Sequence, residues 1–357
     1  MKLLSLFLIV ALSTSTHCFA QDSVYYKSAF NKGGDELKSE LNSIIKNHVE
    51  FPYTANSTDV WDILKETDKD TSNPNNVILI YSNRSVDAAQ EYNSGSGWSR
   101  EHVWAKSRGD FGTGEGAGTD VHHLRPCDVS VNSTRNNRNF DECKSCDDVI
   151  DNGFNTGSKK DANLWTFEPP DNVKGDVARM IFYMTVRYEG GGSEPDLELT
   201  SVLLGNTDKS SLQAVKTTLL SWNKLDPVSD WERNRNEIIY KDYQHNRNPF
   251  IDYPELAEYL FGDSIGYVWK PEIKLSTQEV IVSAFKVFPN PTLDSVTIEG
   301  EFTDLSVFNS YGQVLNIYTD VTISKAVSLS EYPDGLYYFQ LTDAKGNVNT
   351  HTIKKGG

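Results

Sequence analysis

Between Arg100 and Asn137 the sequence gathers residue types that could perform metal-assisted hydrolysis at phosphorus. Arg100-Glu101-His102 is followed by Asp120-Val121-His122-His123-Leu124-Arg125-Pro126 and by Val131-Asn132-Ser133-Thr134-Arg135-Asn136-Asn137, so three of the chain's seven histidines fall in this stretch. A neutral imidazole, with an ordinary pKa of about 6.5, can take a proton from water at pH 7. Carboxylate and amide oxygens suit hard cations such as Mg²⁺ or Ca²⁺, which keep much of their own water and accept phosphate oxygens. Glu101 and His102 are adjacent, so their side chains diverge by about 180° on a strand or about 100° on a helix and suit different tasks. Glu101 is the candidate to hold the ion and His102 the candidate base, with activity falling below about pH 6.5. Arg135 and Arg108 are the candidates for binding phosphate oxygens.

These residues need elements to position them. If Asp128 caps a helix, Asn132, Arg135, Asn136 and Asn139 share one helical face, presenting oxygen ligands and a cation together. A Gly-rich loop, Gly109 to Gly118, separates the two His-bearing segments. Elsewhere, Leu37, Leu41, Ile44 and Ile45 predict an amphipathic helix over Asp35–Val49, and Val177, Ile181, Met184 and Tyr188 predict a core-facing helix over Val177–Tyr188. The apolar run Val77–Tyr81 predicts a buried strand. Past the turn cluster Phe288-Pro289-Asn290-Pro291-Thr292, short alternating segments predict strands at Ser295–Ile298, Leu305–Phe308 and Leu336–Leu341, with turns at Tyr311-Gly312 and Asp334-Gly335.

The 357 residues carry 34 Lys and Arg against 50 Asp and Glu, a net charge of −16. That total argues against a polyanionic partner, but Arg100 to Phe140 holds six basic residues against five acidic ones, so the candidate site is locally near neutral. Binding through phosphate contacts there should weaken steeply with salt. The apolar stretch Leu3–Leu12 behind Lys2, with Cys18-Phe19-Ala20 before Gln21, reads as a signal peptide over residues 1–20. No segment is long and apolar enough to span a membrane. Export leaves Cys127, Cys143 and Cys146, an odd number, in an oxidising compartment. A structural disulfide from the Cys143-Lys144-Ser145-Cys146 cluster is expected, with the pairing open.

The residues together resemble the endonuclease I family of secreted bacterial nucleases, members of the His-Me finger (ββα-metal) group. The resemblance rests on Trp98-Ser99-Arg100-Glu101-His102-Val103, Asp120 to Pro126 with Val131-Asn132, Phe167-Glu168-Pro169-Pro170, Gly175-Asp176-Val177-Ala178-Arg179, Trp222-Asn223-Lys224 and Gln244-His245-Asn246-Arg247-Asn248-Pro249-Phe250. It implies His102 as general base, Glu101 and Asn132 as ligands of the metal, and cleavage of DNA, and often RNA, with little sequence preference to 5′-phosphate ends; the expected ion is Mg²⁺ (Ca²⁺ or Mn²⁺ as alternatives) and the expected state a monomer. The family's phosphate-binding arginine lies between the two His-bearing motifs; this chain's connection is shorter there, and Arg108 is its one arginine. The C-terminal segments, with Gly335-Leu336-Tyr337-Tyr338, resemble the sorting domain of the type IX secretion system, implying secretion machinery as a partner and a secreted or cell-surface protein.

The expected architecture is therefore α+β: a signal peptide (1–20), a mainly helical catalytic domain containing a ββα-metal finger (21–270), a linker (271–284) and a small β-rich, sandwich-like sorting module (285–357). Two other readings compete with a nuclease. One is a zinc hydrolase using His102, His122 and His123, disfavoured because adjacent histidines face one ion poorly and no His-Glu-x-x-His is present. The other is a non-catalytic surface adhesin.

Overall fold

A computed structural model describes residues 24–271, 286–300, 302–319, 324–342 and 348–356. The expected signal peptide, and the expected linker apart from Pro271, lie outside the described residues. Two units separate, one before and one after the 272–285 stretch.

The first unit is organised around one buried helix. Helices α1 (Gly34–Ile45), α2 (Val60–Thr67), α3 (Val129–Arg135), α4 (Lys174–Arg187), α5 (Lys216–Leu225), α6 (Asp230–Ile238), α7 (Pro249–Asp252) and α8 (Leu256–Phe261) occur in that order. Every residue of α4 is buried, and it packs against α1, α5 and α7. Its apolar stripe is the predicted one, but its other face carries charges that are paired: Arg179 grips Glu232 through two bonds of 2.7 and 2.8 Å. Gly175 is required there, because a Cβ would lie 2.1 Å from the Asp226 carbonyl oxygen. Helix α1 buries Leu37, Leu41 and Ile45 and stops at Ile45, short of the predicted Val49. Asp59 caps α2 by accepting from the backbone of Trp61 and Asp62, and Asp62 returns the bond.

The unit is more evenly mixed than the mainly helical expectation. Strands β1 (Lys69–Asp70), β2 (Asn73–Ile78) and β3 (Ser85–Asp87) form one sheet, and β4 (Trp98–His102) pairs with β5 (Leu124–Asp128). Strands β6 (Asn139–Phe140), β7 (Asp147–Asp151), β8 (Phe154–Asp161) and β9 (Thr166–Glu168) form a four-stranded sheet, and β10 (Glu198–Thr200) pairs with β11 (Leu212–Val215). These strands are short and several are rich in Asn, Asp and Lys, so hydrophobic alternation gives those no signal. The predicted strand Val77–Tyr81 is half right: β2 ends at Ile78, and Leu79 to Tyr81 turn away so that the Ile80 amide donates to the Pro126 carbonyl of β5. No helix among the described residues is long and apolar enough to cross a membrane.

The second unit has strands β12 (Lys286–Phe288), β13 (Ser295–Glu299) and β16 (Ser324–Ser328) in one antiparallel sheet. A second antiparallel sheet runs in the order β15 (Val314–Thr319), β14 (Asp304–Asn309), β17 (Gly335–Thr342), β18 (Val348–Lys355). Inward residues of both sheets, among them Val296, Ile298, Val327, Leu305, Val307, Phe339 and Ile353, share one apolar cluster. The Asn290 side chain ties the Pro-Asn-Pro turn to β18, donating to the Thr352 carbonyl at 2.8 Å and accepting from the Lys354 amide at 2.9 Å.

Candidate functional site

Strands β4 and β5 run antiparallel with Glu101 opposite Arg125 and His102 opposite Leu124, and α3 follows β5 directly and packs on both. The pair is anchored from below by buried charge. Arg125 Nε donates to Asp68 Oδ1 at 2.5 Å, while Arg235 Nε donates to the other Asp68 oxygen at 3.2 Å and its Nη2 to the carbonyls of Val121 and Leu124. One carboxylate thus fixes a strand and a helix, which a buried charge requires to be tolerated at all.

His102 sits at the end of β4, 6% exposed. Its Nε2 lies 3.0 Å from the Gly118 carbonyl oxygen. A carbonyl can only accept, so Nε2 carries the hydrogen and Nδ1 keeps its lone pair. Gly118 makes this approach possible: a Cβ there would lie 2.6 Å from the Gly114 carbonyl oxygen of the same loop. Burial holds the His102 imidazolium well below the ordinary value, and the neighbouring His123 and Lys106 add to the effect. The ring stacks on Tyr53, with centroids 5.7 Å apart and planes 21° from parallel.

The other two histidines of the stretch are structural. His123 Nε2 donates to the Ala117 carbonyl at 2.8 Å and its Nδ1 accepts from the Trp104 amide, while His122 Nε2 faces the Asn246 carbonyl and amide oxygens at 3.2 and 3.1 Å. Burial pushes both down to about 4. Asp120, which accepts from Tyr183, Tyr188 and Gln244, orders the turn that carries them. Among the described residues no group of three or more His, Cys, Asp or Glu side chains is placed to hold an ion. The zinc reading therefore has no geometric support.

Glu101 and Asn132 offer a different donor set. Glu101 is 2% exposed; its Oε1 accepts from the Tyr81 hydroxyl at 2.9 Å and lies 3.4 Å from Arg135 Nε. Burial pushes its carboxyl up to about 7 against the opposing pull of Arg135 and the Tyr81 bond. Asn132 Nδ2 donates to Ser99 Oγ at 3.0 Å and to the Arg100 carbonyl at 3.3 Å. That carbonyl fixes the amide orientation and leaves Oδ1 as an acceptor. Neither Glu101 Oε2 nor Asn132 Oδ1 has a hydrogen-bond partner among the described residues. Both residues line, with His102, a cleft of about 340 Å³. Two free oxygens beside a buried carboxyl of raised pKa fit a hard cation that completes its shell with water. A larger hollow of about 700 Å³, lined by Lys65, Glu66, Lys69 and Asp87, holds no comparable base or donor set.

The two arginines face inward. Arg135, 1% exposed, donates to the carbonyls of His102 at 3.1 Å, Val103 at 2.5 Å and Asn136 at 3.0 Å, with its guanidinium over the Phe140 ring. Arg108, with no exposed surface, donates to the carbonyls of Asp208, Asn137 and Leu204. Asp128 precedes α3 without capping it: its carboxylate accepts from Ser82 Oγ at 2.6 Å and pairs with Arg84. The helix ends at Arg135 because Asn136 adopts a positive φ of 50°, and Asn139 moves into β6, so the expected four-residue face is reduced to Asn132 and Arg135. Sequence reasoning missed Tyr53, Tyr81 and Lys106; only Lys106, four residues past His102, carried a positional signal. Cys143 and Cys146 form a disulfide, and Cys127 is a buried free thiol.

Comparison with known proteins supplies independent findings. Residues 33–255 match the family model for Endonuclease I, and residues 286–355 match that for a secretion system C-terminal sorting domain. The chain is 50% identical over 258 residues to an extracellular ribonuclease of Bacillus subtilis (strain 168), covering 71% of this chain and 83% of that protein. It is 51% identical over 245 residues to an extracellular ribonuclease of Bacillus amyloliquefaciens, covering 68% and 79%. An endonuclease-1 of Buchnera aphidicola subsp. Baizongia pistaciae is 28% identical over 134 residues, covering 37% of this chain and 46% of its own length.

Proposed function

The chain belongs to the endonuclease I family and is a hydrolytic nuclease carrying a secretion sorting domain, and from that premise we propose a secreted, divalent-cation-dependent enzyme that cuts RNA and DNA at the β4–β5–α3 cleft without sequence preference, leaving 5′-phosphate ends. The observation that carries this reading is the His102 tautomer. With Nε2 donating to the Gly118 carbonyl, Nδ1 is the basic nitrogen, and burial keeps it unprotonated at neutral pH, as a general base requires. His102 Nδ1 takes the proton of the attacking water. Glu101 and Asn132 would hold the cation, Mg²⁺ in our reading; Tyr81 and Ser99 keep those side chains oriented. The cation, when bound, supplies Lewis-acid stabilisation of the charge developing on the phosphate and the leaving oxygen. Arg135 positions the site from behind by fixing the His102 carbonyl and facing Glu101.

Two ribonucleases at 50% and 51% identity support RNA as a substrate, and the family supports DNA. The strand pair followed by a helix supports a ββα-metal finger, and the sorting-domain match supports export through that machinery. The domain limits expected above fit this reading, with the two units as catalytic and sorting domains. The nuclease relatives disfavour a binding-only adhesin. The test is cleavage of plasmid DNA and of a structured RNA by the secreted protein with Mg²⁺, with chelator, and by His102→Ala. Cleavage in the first and loss in the other two is expected. His102→Ala retaining full activity on both substrates overturns the mechanism.

A further inference from the structure

Three cations line the cleft, and two are committed to the protein. The Arg100 guanidinium lies between the rings of Tyr53, at 3.4 Å, and Trp61, at 4.0 Å, and donates to the Tyr53 carbonyl and to Thr54 Oγ1. Arg135 is buried and divides its donors among three carbonyls. Lys106 differs from both. It is exposed, lines the same cleft as Glu101, His102 and Asn132, and has no ion pair and no side-chain hydrogen bond among the described residues. Arg108, the arginine the sequence offered for phosphate, has no exposed surface.

We propose that Lys106 is the phosphate-binding cation of this nuclease, its ammonium contacting a non-bridging oxygen of the substrate phosphate seated beside His102. The proposal rests on the nuclease reading of the same cleft. An ammonium is a point charge with three rotatable donors, so it can follow a phosphate in RNA or DNA without the fixed fork geometry an arginine imposes. Lysine here does what no arginine of the cleft is free to do.

The experiment measures kcat/KM of wild type, Lys106→Ala and Lys106→Arg on a single-stranded RNA at fixed Mg²⁺ across a KCl series. It also measures binding of an RNA oligonucleotide to His102→Ala with and without Lys106→Ala, by fluorescence anisotropy. We expect Lys106→Ala to lower kcat/KM and affinity by about tenfold, the loss of one charge-assisted contact. The slope of log(kcat/KM) against log[KCl] should become shallower by about 0.7, the value for one phosphate contact on a single strand. Lys106→Arg should restore most of both, and the urea midpoint of each variant should match wild type because the side chain is exposed. If wild type cleaves, His102→Ala does not, and Lys106→Ala keeps the wild-type rate and salt slope, Lys106 is a bystander and this proposal alone fails. If wild type cleaves neither RNA nor DNA, the nuclease reading of the cleft fails and takes the proposal with it.

Discussion

Substituting Arg135 separates a positioning arginine from a phosphate-binding one. In the structure its guanidinium donates to the carbonyls of His102, Val103 and Asn136, stands 3.4 Å from Glu101 and covers the Phe140 ring. Arg135→Met removes all of these. Breaking a buried ion pair from one side costs about 3–5 kcal/mol. Glu101, with its carboxyl already up at about 7, can take a proton and escape part of that penalty near neutral pH. The Val103 carbonyl also keeps the bond it receives from Gln213 Nε2 at 3.0 Å. The lower end is therefore the better estimate, about 3 kcal/mol, against a total domain stability of about 5–15 kcal/mol. With a urea slope of about 1–3 kcal/mol per molar, the midpoint should fall by at least about 1 M. Arg135→Lys keeps the charge but not the fork and should lose about 1–2 kcal/mol. The assay is urea unfolding followed by circular dichroism without divalent cation, together with the salt slope of the residual kcat/KM for Arg135→Met, which should equal wild type. Arg135→Met within about 0.5 kcal/mol of wild type, a difference typical of unremarkable surface changes, combined with a flattened salt slope in the same variant, would refute the reasoning and return this arginine to the substrate.

The acid limb of the rate profile should depend on Mg²⁺. Burial holds His102 well below about 6.5, whereas Glu101 without a cation titrates near 7, so protons compete with the ion at Glu101 and raising Mg²⁺ should move the limb to lower pH; a limb fixed at about 6.5 at every Mg²⁺ concentration contradicts this. Stability should also decline in acid. The fold favours neutral His122 and His123, whose pKa values fall from 6.5 to about 4, so their contribution is complete above 6.5 and lost as pH drops through 4, at most about 3 kcal/mol each; a urea midpoint constant from pH 6.5 to 4.5 counts against it. Tyr53 is held between the Arg100 guanidinium and the His102 ring. Tyr53→Phe should keep kcat within about threefold and Tyr53→Ala should lower it by about tenfold or more, as expected when a reacting group loses its orientation; equal kcat for both variants would remove Tyr53 from the positioning of His102.

The sequence made the local parts of the candidate site legible and hid the long-range ones. Glu101, His102 and Asn132 could be read because β4, β5 and α3 keep them within about one supersecondary unit, where spacing limits geometry. Helices α1 and α4 were visible for the same reason, through periodic apolar residues. Tyr53 and Tyr81 were not, since each reaches His102 or Glu101 from a segment whose own pattern speaks only of packing. The fate of the arginines was equally hidden. Sequence counts a guanidinium as a charge for a ligand, but Arg108 and Arg135 lie where backbone carbonyls would otherwise be buried without donors, and that demand appears only in the fold. Asp128 went the same way: it stands where a helix cap would stand, yet Ser82 and Arg84 claim its oxygens.

The charge of −16 acquires a sharper meaning from where the cations lie. Arg108, Arg125, Arg135, Arg179 and Arg187 are among the largest fully buried side chains, and they hold carbonyls or neutralise buried acids such as Asp68 and Glu232. Among the described residues buried acids match the buried bases in number, so the excess of negative charge lies on the surface that meets a polyanion. On the proposed mechanism, capture would fall to a cation held by Glu101 and Asn132 and to Lys106, so affinity and chemistry would share the same few groups. The steep salt dependence suggested by sequence alone should then be a shallow one, nearer the slope of about −0.7 for one phosphate contact on a single strand than that of the many-contact binders. Long-range repulsion from the acidic body acts in the same direction, because salt that weakens the Lys106 contact also screens the repulsion and part of the loss is returned.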